Sequence, residues 1–124
     1  MAPTDPALAD ELVAAVRTFV VKDVLPVASE LEHRDEYPDD LVHRMADLGL
    51  FGSLIPEEYG GFGLDVVTYS RMIEELAAGW MSLTGVLNTH MIAATLLLWA
   101  SASSSASAWP ANRPCSSSGS GAVM

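Results

Sequence analysis

Residues 49–64 read GLFGSLIPEEYGGFGL, and ten residues later the chain reads EELA at 74–77. Pro56 and three glycines fall within eight residues, a composition that predicts a loop. Gly49 stands where a helix would end in a left-handed residue, and Asp65 stands where the next helix would be capped. The segment therefore predicts a helix before it, a loop inside it and a helix after it.

The N-terminal third has the pattern of one long helix followed by a short one. Asp5 before Pro6 is a plausible cap with proline at the first helical position, and apolar residues then recur at helical spacing to about Val24. Pro26 is expected to interrupt or kink this helix. Residues 27–33 are expected to form a further short helix.

The remainder continues with helical patterns. A helix is expected to start at Tyr37-Pro38, with an apolar stripe formed by Leu41, Met45 and Leu48. The helix after Asp65 is expected to end at Gly79. The next, from Met81 to about Leu98, is apolar nearly all round, which is typical of a helix buried between others or lying in a membrane.

No strand-like alternation extends over a useful length, so the sequence predicts an all-α fold, a helical bundle of about four to five helices. We place this domain at residues 1–98. Residues 99–124 are rich in Ser and Ala without periodicity, and are expected to form a disordered C-terminal tail. Because the composition changes abruptly after Leu98, we hypothesise that this tail is out-of-frame translation and that the domain is truncated.

Charge and cysteine content exclude several classes of protein. The net charge is −10 with only six basic residues, whereas nucleic-acid binding requires clustered Lys and Arg, so no nucleic acid is expected as a partner. The single cysteine excludes an internal disulfide and fits a reducing compartment. The N-terminus lacks a signal-peptide pattern, and cytoplasmic residence is expected.

Several motifs have both a chemical and a structural interpretation. Gly61-Phe62-Gly63 could hold a phosphate, but lacks the third glycine and preceding strand, so a structural turn is favoured. Adjacent Glu57 and Glu58 could act in acid–base catalysis, but paired catalytic carboxylates need separation across a pocket, so solvated side chains are favoured. Glu74 or Glu75 is expected to face solvent or a cation.

The three histidines and the cysteine do not form a recognisable site. No His pair has metal-ligand spacing, so no metal is expected. His90 lies in an apolar helix and is either a core histidine with one hydrogen-bond partner or part of a pocket. Cys115 has no nearby group to activate it.

The uncharged stretch 76–100 is long enough to span a bilayer. Polar residues interrupt it and flanking positive charge is missing, so a buried core helix is favoured and no membrane span is expected.

Five features follow one another in a fixed order between Leu8 and Leu98. They are a first helix ending near Pro26, a helix start at Tyr37-Pro38, LGLFG at 48–52, IPEEYGG at 55–61 and EELA at 74–77. Together they resemble the N-terminal helical domain of the acyl-CoA dehydrogenase family. These flavoenzymes use FAD to introduce an α,β double bond into acyl-CoA thioesters.

The resemblance implies that acyl-CoA is the substrate and FAD the cofactor at family level. In the family the flavin is bound mainly by a middle β-domain and a C-terminal helical domain, which in most members also carries the catalytic glutamate. No catalytic or cofactor-binding residue is therefore carried over to this chain, which is expected to be inactive alone. In the family the helix after EELA lines the acyl pocket, so the resemblance implies a pocket-facing stripe at Leu87, His90, Met91 and Ala94.

A different class of function stays open. The chain could be a non-enzymatic helical interaction module that buries its apolar last helix against a partner. A truncated domain would expose the surface that its missing neighbours should cover, so poor solubility or homo-oligomerisation is expected.

Overall fold

A computed structural model describes residues 2–105, and this part of the chain contains helices and no β-strand, which confirms the predicted all-α bundle. The helices are α1 (Pro6–Phe19), α2 (Leu25–His33), α3 (Asp39–Asp47), α4 (Val66–Gly79) and α5 (Met81–Ser105). Short 3₁₀ turns occur at Leu50–Gly52 and Glu57–Tyr59.

A π turn at Val20–Val24 joins α1 and α2 into one rod. The α1 helix begins as predicted, because the Asp5 carboxylate accepts hydrogen bonds from the backbone N–H groups of Ala7 and Leu8. Pro26 has no N–H to donate to the preceding turn, and the wider π turn closes instead through Leu25 N–H and the Val20 carbonyl. The interruption that Pro26 predicts is therefore a π bulge at Val20–Val24, and the helical rod continues through it.

The loop between α3 and α4 is held by backbone hydrogen bonds across its own width. Gly49 ends the preceding helix with φ of +77°, as predicted for a left-handed cap. Phe62 N–H donates to the Gly52 carbonyl at 2.9 Å and Leu64 N–H donates to the Ser53 carbonyl at 2.9 Å. These bonds bury Leu64 and bring the chain back to start α4.

Asp65 caps α4, as predicted, and also fixes the N-terminal segment. Its carboxylate accepts hydrogen bonds from Thr68 N–H at 2.7 Å and Thr4 N–H at 2.9 Å, while Thr4 Oγ1 accepts from Asp65 N–H at 2.9 Å. These donors, Thr68 first, hold the pKa of the Asp65 carboxyl below its usual value.

One hydrophobic core connects the described helices. Helix α1 packs against α4, α4 packs against α5, and the 3₁₀ turn at Leu50–Gly52 contacts α5. The core includes Val16, Val24, Met45, Leu64, Met72, Leu76, Leu83 and Leu87, all almost completely buried. The predicted α3 stripe is narrower than expected, because Leu41 and Met45 are buried whereas Leu48 is exposed.

Helix α5 differs from its prediction in length and in burial. It continues past Leu98 to Ser105, and the rest of the predicted tail, 106–124 with Cys115, lies outside the described residues. Among the described residues, one helix, over Met81–Ala102, is long and apolar enough to cross a membrane. Core helices of soluble proteins satisfy the same test, so this feature is weak evidence. One face of α5 packs on the bundle and the other is exposed.

Candidate functional site

The predicted pocket stripe lies where α5 meets the bundle. Leu87 and Met91 are almost fully buried in the core, His90 is exposed, and Ala94 is half-buried. The four residues thus run from the packed face of α5 onto one of its edges. In this structure Leu87 and Met91 already contact bundle residues, which leaves His90 and Ala94 as the more accessible members of the stripe.

His90 contacts the loop that precedes α4. Its Nε2 lies 3.0 Å from the Phe51 carbonyl oxygen, and because a carbonyl only accepts, this nitrogen carries the proton. The imidazole also meets the Phe51 ring edge-on, with ring centroids 5.0 Å apart and planes at 79°. His90 therefore has the single hydrogen-bond partner expected of a core histidine, but it is exposed and does not lie in the core.

A second polar contact holds α5 from the other side. The Tyr69 hydroxyl on α4 donates a 2.7 Å hydrogen bond to Oδ1 of Asn88, and burial raises the pKa of Tyr69 to about 12. Sequence reasoning did not pair these residues. The available signal was an asparagine in an apolar helix opposite a tyrosine on the core face of the preceding helix.

Two buried polar atoms at the junction of α4 and α5 have no hydrogen-bond partner among the described residues. They are Nε1 of Trp80 and Oγ1 of Thr84, one turn apart. Buried polar groups in native structures normally have a partner, so this junction is a place where a water or another polar group would be favoured.

The Gly-rich loop does not fit a flavin pyrophosphate. A phosphate-binding loop presents free backbone N–H groups to the ligand. Here the N–H groups of Gly61, Phe62 and Gly63 all donate within the loop, to the carbonyls of Pro56, Gly52 and Ile55. The structural-turn interpretation is supported, and we place no cofactor contact on this loop.

The carboxylates do not form an acid–base site in residues 2–105. Glu57 and Glu58 are exposed in the loop, as expected for solvated side chains. Glu75 forms a bidentate pair with Arg17, whose hydrogen bond lowers the pKa of the Glu75 carboxyl, while Glu74 is exposed. Within this range no group of three His, Cys, Asp or Glu side chains could hold a metal ion. We assign no catalytic residue here.

A groove of about 550 Å³ lies between the α1–α2 rod and α3. Its lining combines apolar and charged side chains, including Lys22, Tyr37 and an ion pair between Arg44 and Asp23. It shares no residue with the predicted stripe on α5. The groove is therefore no evidence for an acyl site, because none of the residues predicted to line that site contributes to it.

Helix α5 exposes several large apolar side chains on the side that does not pack on the bundle. Large side chains there are 60–70% exposed, namely Met81, Ile92, Leu96, Leu97 and Trp99. Helix Met81–Ser105 contains no Asp, Glu, Lys or Arg. An exposed apolar area of this kind marks a surface that another molecule or domain covers.

Comparison with known proteins places these features in a family. The family model described as acyl-CoA dehydrogenase, N-terminal domain, matches residues 7–109. Glutaryl-CoA dehydrogenase of Desulfococcus multivorans is 40% identical over 91 residues, covering 69% of this chain and 23% of that protein. An acyl-CoA dehydrogenase of Bacillus subtilis (strain 168) is 39% identical over 75 residues, covering 60% of this chain and 20% of that protein.

A third relative, (2S)-methylsuccinyl-CoA dehydrogenase of Cereibacter sphaeroides, is 36% identical over 94 residues, covering 75% of this chain and 17% of that protein. The chain thus spans about a fifth of the length of the curated relatives it matches. Because the family model covers most of the sequence, the chain belongs to the acyl-CoA dehydrogenase family, whose N-terminal helical domain it matches.

Proposed function

We propose that this chain supplies the N-terminal helical part of an FAD-dependent acyl-CoA dehydrogenase that oxidises the Cα–Cβ bond of acyl-CoA thioesters. In this proposal α5 forms one wall of the acyl pocket through Leu87, His90, Met91 and Ala94. The flavin and the catalytic base are held outside residues 2–105, so the described helices do not catalyse the reaction alone. Cytoplasmic residence and the absence of a membrane span are part of the same proposal.

The observation that carries the proposal is the two-sided character of α5. A helix without a charged residue is fixed to the bundle by Tyr69–Asn88 and Phe51–His90, while its other face stays exposed. Of the predicted stripe, Leu87 and Met91 are packed in the core, so His90 and Ala94 at the edge of this helix are the members that remain accessible to an acyl chain. The family match supports the same assignment.

A chimera would test the proposal. Residues 7–98 of this chain would replace the matching segment of the Desulfococcus multivorans glutaryl-CoA dehydrogenase, and flavin absorbance, acyl-CoA oxidation and the acyl-chain profile would be measured. We expect the chimera to retain FAD and to oxidise acyl-CoA. We expect Ala94→Leu to shorten the preferred acyl chain, because the added side chain occupies pocket volume.

Val67→Leu is a matched control, because Val67 is exposed on α4 and lies outside the stripe. It should leave the acyl-chain profile unchanged. The chain on its own, mixed with FAD, acyl-CoA and an electron acceptor, should show no turnover. If the chimera retains FAD but its acyl-chain profile is the same with and without Ala94→Leu, α5 does not form a wall of the acyl pocket.

The exposed face of α5 also favours a second candidate, a helical interaction module without enzymatic activity. The two candidates differ in what meets this face, since the enzyme would cover it with further domains of the same polypeptide. A chimera that fails to retain FAD, combined with specific association of the chain itself, would favour the interaction module.

A further inference from the structure

Helices α4 and α5 form a hairpin whose two arms meet at a single residue. Trp80 alone separates Gly79, the last residue of α4, from Met81, the first residue of α5. This elbow joins the arms at one end only. Contacts further along the two helices therefore set how far the arms open and how α5 is rotated about its axis.

Apolar packing holds α5 on the bundle but restrains its rotation weakly. Leu83, Leu87 and Met91 are almost completely buried, yet the helix is apolar nearly all round. A rotation of α5 would therefore exchange one apolar side chain for another at modest cost. Near the elbow, Thr84 Oγ1 is buried without a hydrogen-bond partner in residues 2–105, so this hydroxyl does not tie the start of α5 to the bundle.

The hydrogen bond from Tyr69 to Asn88 supplies the directional restraint that apolar packing lacks. Tyr69 lies eleven residues before the elbow and Asn88 eight residues after it, so their 2.7 Å hydrogen bond closes the hairpin roughly 12–16 Å from Trp80. Tyr69 is only 8% exposed. A movement of α5 that broke this bond would leave a buried hydroxyl without its partner, which native structures strongly avoid.

We propose that Tyr69 is a positioning residue for the acyl pocket, acting through Asn88 and not by contact with the acyl chain. The inference rests on the proposed function, in which His90 and Ala94 are the accessible part of the α5 wall. Ala94 follows Asn88 by six residues on the same helix. A rotation of α5 by about 20° would move the Cβ of Ala94 by roughly 1 Å, because Cβ atoms lie about 3 Å from a helix axis. A displacement of that size at the wall of a site changes how well a ligand fits.

The chimera with the Desulfococcus multivorans glutaryl-CoA dehydrogenase measures this role by kinetics. Tyr69→Phe removes the hydrogen bond and keeps the ring. We expect KM for the preferred acyl-CoA to rise by about three- to tenfold and the acyl-chain profile to broaden, while kcat changes less than about twofold, because the reacting groups lie outside these helices. In an Asn88→Leu background, Tyr69→Phe should change KM no further, because the partner through which it acts is already missing.

Asp65→Ala is the matched structural control. It removes the cap at the end of α4 opposite the elbow, where the carboxylate accepts hydrogen bonds from the backbone N–H groups of Thr68 and Thr4. Loss of a cap lowers stability about as much as loss of the Tyr69 hydrogen bond. The KM and acyl-chain profile of Asp65→Ala should equal those of the unaltered chimera, because the change removes no contact with α5.

A second measurement does not depend on turnover. In the full chain carrying Cys115→Ser, nitroxide labels at Glu74→Cys and Thr95→Cys, both exposed positions, report the distance between α4 and α5 by double electron–electron resonance. Tyr69→Phe should broaden the distance distribution by about twofold or more. Asp65→Ala should leave the distribution unchanged.

The two measurements separate failure of this inference from failure of the proposed function. An active chimera whose KM and profile are unchanged by Tyr69→Phe would overturn this inference alone. Equal changes in KM for Tyr69→Phe and Asp65→Ala would do the same, as would effects of Tyr69→Phe and Asn88→Leu that simply add. A chimera without FAD, combined with a broadened label distribution, would overturn the proposed function and support the placement of α5 by Tyr69. An unchanged distribution in that case would overturn both.

Discussion

The hydroxyl oxygen of Tyr69 lies 2.7 Å from Oδ1 of Asn88 and ties α4 to α5. Two residues further along, His90 bonds to the Phe51 carbonyl on a different element. The two contacts approach α5 from opposite edges, and together they fix the rotation of the helix about its axis. That rotation determines which apolar residues of α5 enter the core and which stay exposed.

Tyr69→Phe should lower the folding stability at pH 7 and should also reduce the further loss of stability at alkaline pH. Loss of the hydrogen bond should cost about 1 kcal/mol at pH 7. The folded-state pKa of Tyr69, about 12, lies above its ordinary value of 10.0, so the unfolded chain loses the proton first. Stability should therefore fall as pH rises from 10 towards 12. Melting temperatures across this range should fall less steeply for Tyr69→Phe. Tyr59→Phe, at an exposed position, is the control and should behave like the unaltered chain.

Glu75→Gln should remove part of the acid sensitivity of the fold. Arg17 lowers the pKa of Glu75 below 4.5 in the folded state, so this carboxylate contributes stability above that value. The contribution is lost as pH falls through the folded-state pKa. We expect melting curves of Glu75→Gln to change less than those of the unaltered chain below pH 4.5. The neighbouring Glu74→Gln, which changes an exposed side chain, should retain the full acid response.

Local signals in the sequence predicted much of the fold. The Asp5 and Asp65 caps, the end of α3 at Gly49 and the loop after it all follow from side-chain chemistry within a few residues. Periodicity did not predict which face of α5 would be buried, because a helix that is apolar all round gives no direction. The buried face is instead determined by the long-range contacts of Phe51 with His90 and of Tyr69 with Asn88.

Gly79→Ala should destabilise the packing of α4 against the π turn. A Cβ at Gly79 would lie 2.5 Å from Cγ1 of Val20, too close for the two helices to keep their separation. Overpacking of this kind costs about 1–3 kcal/mol. Val20→Ala removes the obstructing methyl groups, so the double variant should be more stable than the sum of the two single changes indicates. Chemical denaturation of the four proteins measures this coupling. Additive effects would show that the helices separate freely at this contact.

The site was less predictable than the fold. Resemblance to the family placed a stripe on α5, and the structure shows that Leu87 and Met91 of that stripe are packed in the core. The carbonyl that His90 meets lies 39 residues earlier in the chain, in a 3₁₀ turn whose type the sequence did not specify. Such a contact depends on how the loop folds back, which no local spacing encodes.

His90→Ala should loosen the loop between α3 and α4. The change removes both the 3.0 Å hydrogen bond to Phe51 and the edge-on ring contact, and should cost about 1 kcal/mol. Hydrogen exchange of the amides of Phe62 and Leu64 should accelerate by severalfold, because these groups donate within the loop that His90 holds. His90→Gln offers a side-chain N–H without the ring and should restore part of the protection. Amides in the α1–α4 interface should exchange at unchanged rates. Equal acceleration throughout the chain would instead mean that His90 stabilises the whole bundle and does not position this loop.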